Sequence, residues 1–257
     1  MLDLFSKITS LDLFKKSGSV LGIDIGTSAI KIVQIKKQGG KAVLALGPYA
    51  NLAVGQATSL SREKIVEVLH DLIREANITT QNAAIAIPLK DTMIAPIEMP
   101  DVGEKRLKTM IPIEARKHIP VPMSEVALNF WIIPKENIPQ VENKSKKENK
   151  GRKENKKKPK GVVEVFIVAI HNNSITKYQE IRENAGFVER LLEVEIFSTI
   201  RSLVGNDMSP VMVLDIGAGS TKVAIVEYGI LRESHTIEKG SQDISIALSK
   251  VFGVTMD

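Results

Sequence analysis

The chain has 257 residues, 43% hydrophobic and 25% charged, the composition of an ordinary globular protein with room for one large or two modest domains. It has no cysteine, which excludes disulfides and thiolate metal sites, and its four histidines, His70, His118, His171 and His235, stand at no metal-ligand spacing. The net charge of +5 is local, because residues 135–160 alone carry eleven Lys or Arg against four Glu, a net +7 that leaves −2 for the rest of the chain. Such a tract reads as a solvated, flexible Lys/Glu/Asn stretch and not a nucleic-acid surface, with a weak electrostatic contact to a membrane or acidic partners as the alternative.

Met1 to Lys16 has Leu2, Phe5, Ile8 and Leu11 at helical spacing but no continuous apolar core, so it reads as a loosely packed N-terminal arm, residues 1–18, with a membrane-surface helix as the alternative, and not as a signal peptide. No apolar run reaches the roughly 20 residues that span a bilayer. Ser19 to Ile25 is predicted as a buried strand, Ile30 to Lys36 as its hairpin partner, and Gly39-Gly40 turns the chain into a third strand, Ala42 to Gly47. Ser61 caps a helix whose face is Ile65, Leu69, Leu72 and Ala76, and Ala83 to Ile87 is the next buried strand, stopped by Pro88.

Asp91 to Gly186 reads as an insertion. Within it, Thr92 to Met99 is a strand cut by Pro96, Glu104 to His118 a helix that Pro112 kinks or ends, and Val126 to Ile133 a strand holding the only tryptophan, Trp131. The Lys-rich stretch that follows is predicted as a disordered hairpin loop, after which Gly161 to Ile170 returns to pair with the strand left at Ile133. Ile175, Tyr178, Ile181 and Ala185 mark a helix face closed by Gly186. Val188 to Ile196 is predicted as a strand, Phe197 to Gly205 as a short helix, Pro210 to Glu227 as a hairpin, Ile230 to Ile237 as a strand and Asp243 to Phe252 as a helix.

Two segments about 190 residues apart share one order of residue types, LGIDIGTSAIKIVQI from Leu21 and LDIGAGSTKVAIVE from Leu214. In each, Asp-Ile-Gly ends an apolar run and a lysine stands seven positions after the aspartate. A glycine at the bend lets backbone N–H groups approach an anion, and the hydroxyls of Thr27, Ser28, Ser220 and Thr221 add donors. No P-loop run is present. Asp24 and Asp215 end buried strands, where a magnesium ion sharing phosphate oxygens would compensate their charge; the plain alternative is that each only caps its turn. Lys31 is placed to reach a β- or γ-phosphate, ahead of Lys222, or points outward from a strand edge. Glu195, or Glu193 on the same strand face, is a candidate to orient an attacking water, or a solvent-facing acid.

DIGTSAIK and LDIGAGSTK resemble the phosphate 1 and phosphate 2 motifs of the actin-like ATPase superfamily. MLDLF, IPVPMSE from Ile119, FIVAIHNNSITKYQEIRENAGF from Phe166 and LLEVEIFSTIRSL narrow the likeness to the PilM-like proteins of type IV pilus assembly, over nearly the whole chain except the basic tract. The resemblance implies an α/β, RNase H-like fold with a PilM- and FtsA-type subdomain IC. Subdomain IA would be residues 19–90 and 187–205, IC 91–186, and a partial IIA 206–257, with the second half incomplete before IIB. It further implies ATP and Mg2+ held between IA and IIA, by Asp24, Gly26, Thr27, Ser28 and Lys31 as phosphate 1 and by Asp215, Gly217, Gly219, Ser220 and Thr221 as phosphate 2. The partner implied is the N-terminal peptide of a PilN-like inner-membrane protein, among other pilus assembly proteins. The place implied is the cytoplasm at the inner face of the inner membrane, with at most slow ATP hydrolysis. A sugar or acetate kinase and an FtsA-like division protein share the hairpins and stay open as alternatives.

Overall fold

In a computed structural model the described residues are 18–39, 41–46, 49–51, 60–133, 161–188, 191–205 and 207–255. The N-terminal arm through residue 17 and the basic loop expected at 135–160 lie outside them. The elements in order are β1 (Ser19–Ile25), β2 (Ala29–Gln38), β3 (Lys41–Leu46), β4 (Tyr49–Asn51), α1 (Arg62–Glu75), β5 (Ala83–Ile87), β6 (Thr92–Pro100) and α2 (Glu104–Ala115). Then come β7 (Val126–Ile132), β8 (Val162–His171), α3 (Asn172–Asn184), β9 (Leu191–Val194), α4 (Glu195–Leu203), β10 (Val211–Ile216), β11 (Thr221–Glu227), β12 (Ile230–Ile237) and α5 (Ser241–Phe252).

The first sheet runs β3-β2-β1-β5-β9, with the short β4 also on β2. β1 pairs antiparallel to β2 and parallel to β5, so the glycine turn after Ile25 sits at the carboxyl end of the parallel strands, where open α/β sheets place their ligands. Helix α1 begins as the sequence predicts: the Ser61 hydroxyl accepts from the Lys64 N–H at 3.3 Å, and Ile65, Val66, Leu69 and Leu72 are buried at helical spacing. Each fully buried side chain of this size contributes roughly 1.5–3 kcal/mol.

The insertion forms a three-stranded antiparallel sheet, β6-β8-β7, with the returning strand in the middle. Alternate residues of β8 face two cores. Phe166, Val168 and Ile170 join the core of the first sheet, while Val165, Ile167 and Ala169 pack with Leu107, Ile111 and Ala115 of α2. This two-sided burial is why the strand reads as an unbroken apolar run. Trp131 stacks at 4.7 Å on Phe166 and meets Phe197 of α4 edge-on at 5.5 Å, joining the insertion to the first sheet. Ile175, Tyr178 and Ile181 of α3 lie in the first core, with α1 and β5, although the helix falls inside the insertion as the sequence divides the chain.

Four expectations are corrected. Pro96 does not cut its strand, because β6 is an edge strand and pairs straight through Pro96 opposite Phe166. The helix expected to reach His118 closes at Ala115, one turn past Pro112. The strand expected at Val188 to Ile196 is the shorter Leu191–Val194, and the helix expected from Phe197 starts two residues earlier. Glu195 is therefore the first residue of a helix and not the end of a strand.

A third sheet, β10-β11-β12, repeats the opening order of the first. Val213, Ala224, Val226 and Leu231 on its inner side belong to the same core as β1 and α1. Met212, Leu214 and Ile216 of β10 are exposed, and no side chain of α5 is buried.

Candidate functional site

The two glycine turns have one design. Gly26 N–H donates to the Ala29 carbonyl at 2.9 Å and Gly217 N–H to the Ser220 carbonyl at 3.0 Å. A Cβ on Gly217 would lie 2.9 Å from that carbonyl, too close without a shift of the backbone, and one on Gly26 3.1 Å from its own, a tight contact. The seven-residue spacing also has a structural cause. It places Asp24 opposite Lys31 in the β1–β2 ladder and Asp215 opposite Lys222 in the β10–β11 ladder. Residues directly opposite in an antiparallel pair can interact, and both pairs do. Lys31 Nζ is 3.0 Å from Asp24 Oδ2, and Lys222 Nζ is 3.4 Å from Asp215 Oδ2.

The turns face each other. The Gly219 N–H donates to the Thr27 hydroxyl at 3.1 Å, a bond between residues 192 positions apart. Behind the second turn, the first N–H groups of α5 are satisfied by it, Ser241 donating to the Gly217 carbonyl at 2.9 Å and Gln242 to the Ala218 carbonyl at 3.0 Å. Gly240 sits so close to Ala218 that a Cβ would come within 2.2 Å of its carbonyl oxygen.

Between the turns opens a cleft of about 420 Å³. Asp24, Gly26, Thr27, Ser28, Lys31, Glu195, Asp215, Gly217, Gly219 and Ser220 all line it. Thr221 does not; its hydroxyl donates to the Lys239 carbonyl at 2.8 Å. The lining also includes Lys222, which the motif reasoning ranks behind Lys31, and Tyr178, Lys90 and Asp91, which it leaves out of the site. Tyr178 reads from its spacing as a core residue, and it is one: burial, with Asp91, Glu195 and Asp24 nearby, raises its phenol well above the ordinary value.

Glu195 has both carboxylate oxygens engaged. Oε1 accepts from the Leu89 N–H at 2.7 Å and Oε2 from Lys222 Nζ at 3.0 Å. It thus ties the end of β5 to the second hairpin. Burial works against the Lys222 ammonium, but Glu195 and then Asp215 outweigh it and hold its pKa above that of an ordinary lysine. Glu193, the other acid considered, pairs with Arg201 and does not line the cleft. Arg232 of β12 adds a second tie across the molecule, 3.0 Å from Glu164 of β8.

The donor set fits a magnesium-bound phosphate. Magnesium typically takes one or two carboxylates with water and phosphate oxygens, and two aspartates face the same cleft beside side-chain-free turns and hydroxyl donors. Among the described residues there is no cluster of three or more His, Cys, Asp or Glu that would hold a metal by itself.

The family model of the type IV pilus assembly protein PilM matches residues 22–149. Among solved structures, the PilM–PilN type IV pilus biogenesis complex is similar over 92% of this chain, with 21% identity and a TM-score of 0.70. This chain spans 66% of the length of that one. The cytoplasmic domain of EpsL, an inner-membrane component of the type II secretion system of Vibrio cholerae, is similar over 93% of this chain and 78% of its own, with 10% identity and a TM-score of 0.52. The fold is that of the actin-like ATPases.

Proposed function

The chain belongs to the family of the type IV pilus assembly protein PilM, and on that premise we propose that it is a nucleotide-binding adaptor of pilus assembly. ATP enters the cleft between the hairpins, and the adaptor holds the N-terminal tail of a PilN-like inner-membrane protein, which keeps it at the cytoplasmic face of that membrane. The observation that carries the reading is the Thr27–Gly219 bond, which brings two phosphate-type turns from distant parts of the chain against one cleft.

Asp24 and Asp215 would hold the magnesium ion. When bound, magnesium offsets the charge on the phosphate oxygens. The glycine turns admit the phosphates against the backbone, and the hydroxyls of Thr27, Ser28 and Ser220 donate to them. Glu195, with both oxygens engaged, is held as a strut rather than presented to a water, which favours binding with slow hydrolysis. Subdomain IA then comprises the first sheet with α1 and α4, IC the β6-β8-β7 insertion, and IIA the third sheet.

Calorimetry with Mg·ATP and with the N-terminal peptide of a PilN-like protein tests this. Both should bind, and Asp24→Asn and Asp215→Asn should each weaken ATP by about tenfold or more while leaving the fold intact. Absence of ATP binding, or ATP turnover that depends on an added sugar, would contradict it.

A further inference from the structure

We propose that Lys222 contacts the phosphates in this cleft and is the stronger of the two hairpin lysines in doing so; this rests on the nucleotide reading above. Sequence symmetry makes Lys31 and Lys222 equivalents, but their surroundings separate them. The Lys31 side chain is 59% exposed and has one partner, Asp24. The Lys222 side chain is 15% exposed, lines the same cleft, and is held from two sides by Asp215 and Glu195.

An ammonium group has three N–H donors. Two carboxylates fix its position and use two of them, which leaves one for an anion entering the cleft. Because Glu195 is itself anchored by the Leu89 N–H at 2.7 Å, the lysine is placed before the ligand arrives and loses little freedom on binding. Its burial also means that its field is screened less by water and salt than that of Lys31. Lys222 belongs to the second hairpin and Glu195 to α4, so a phosphate held there touches a clasp that spans both halves of the cleft.

The test is binding of inorganic tripolyphosphate and of ATP to the full chain, measured by calorimetry at several salt concentrations. Lys222→Gln should weaken both ligands about tenfold or more at low and at high salt alike, and Lys222→Arg should recover most of the loss. Lys31→Gln should cost no more than about fivefold, as expected for an exposed charge. A Lys222→Gln protein that binds both ligands within about twofold of the unaltered chain overturns the assignment. In the unaltered chain, bound tripolyphosphate should protect Lys222 from amine acylation, read by peptide mass spectrometry, and equal labelling with and without it overturns the assignment even if the Gln variant does not fold. Binding of tripolyphosphate without ATP sinks the nucleotide reading and leaves Lys222 judged on tripolyphosphate. Binding of neither sinks both.

Discussion

The β1–β2 and β10–β11 hairpins share a turn hydrogen bond, a tight glycine bend and an Asp–Lys cross-strand pair, yet they sit in different surroundings. In the first, β1 is mostly buried and is followed through the chain by α1, which buries four side chains. In the second, β10 buries one residue, Val213, and α5 buries none. The hairpin geometry is local and repeats wherever the motif repeats. Burial depends on what the rest of the chain supplies, and so does the strength of each lysine's position.

The largest difference should appear between the helices. Leu69→Ala in α1, at a site with 0% exposure, is expected to cost about 2–5 kcal/mol in denaturant unfolding. Leu248→Ala in α5, at a site with 50% exposure, is expected to stay within about 0.5 kcal/mol. Equal effects would mean that the two helices are packed alike. Next come the bends. Gly217→Ala places a Cβ 2.9 Å from a backbone oxygen and should cost on the order of 1–3 kcal/mol, whereas Gly26→Ala, at 3.1 Å, should cost less. A larger loss at Gly26, by thermal unfolding, would reverse the order of tightness.

The smallest effect concerns pH and lies in the first core. Tyr178 is buried there, and its phenol is raised above the ordinary value of about 10. The folded state then holds a proton that the unfolded chain gives up, so stability is fully present below pH of about 10 and falls as pH rises through the folded value. Tyr178→Phe should abolish that part of the alkaline loss. If the phenolate absorbance of Tyr178 appears before unfolding, the burial argument fails.

The hairpins, α1 and the buried strands were legible in the sequence because each rests on a local signal: Asp-Ile-Gly, the Ser61 cap, unbroken apolar runs. Pro96 misleads because strand position in a sheet is not local, and an edge strand tolerates a proline that a central one does not. Glu195 is not placed by its sequence, because LEVEIF reads equally as strand or helix and only the packing of Ile196 and Ile200 settles it. Likewise, the motif ranks Lys31 and Lys222 by position alone. The carboxylate that separates them, Glu195, lies 27 residues from Lys222 and comes beside it only through folding.

The most direct measurement is a backbone-amide NMR titration of the full chain with Mg·ATP. If the two hairpins form one phosphate site, the amides of Gly26 and Thr27 and those of Gly217 and Ala218 should shift together, with a single shared dissociation constant. Shifts confined to one hairpin, or two separate binding curves in a folded protein, would show that the hairpins do not grip the same ligand.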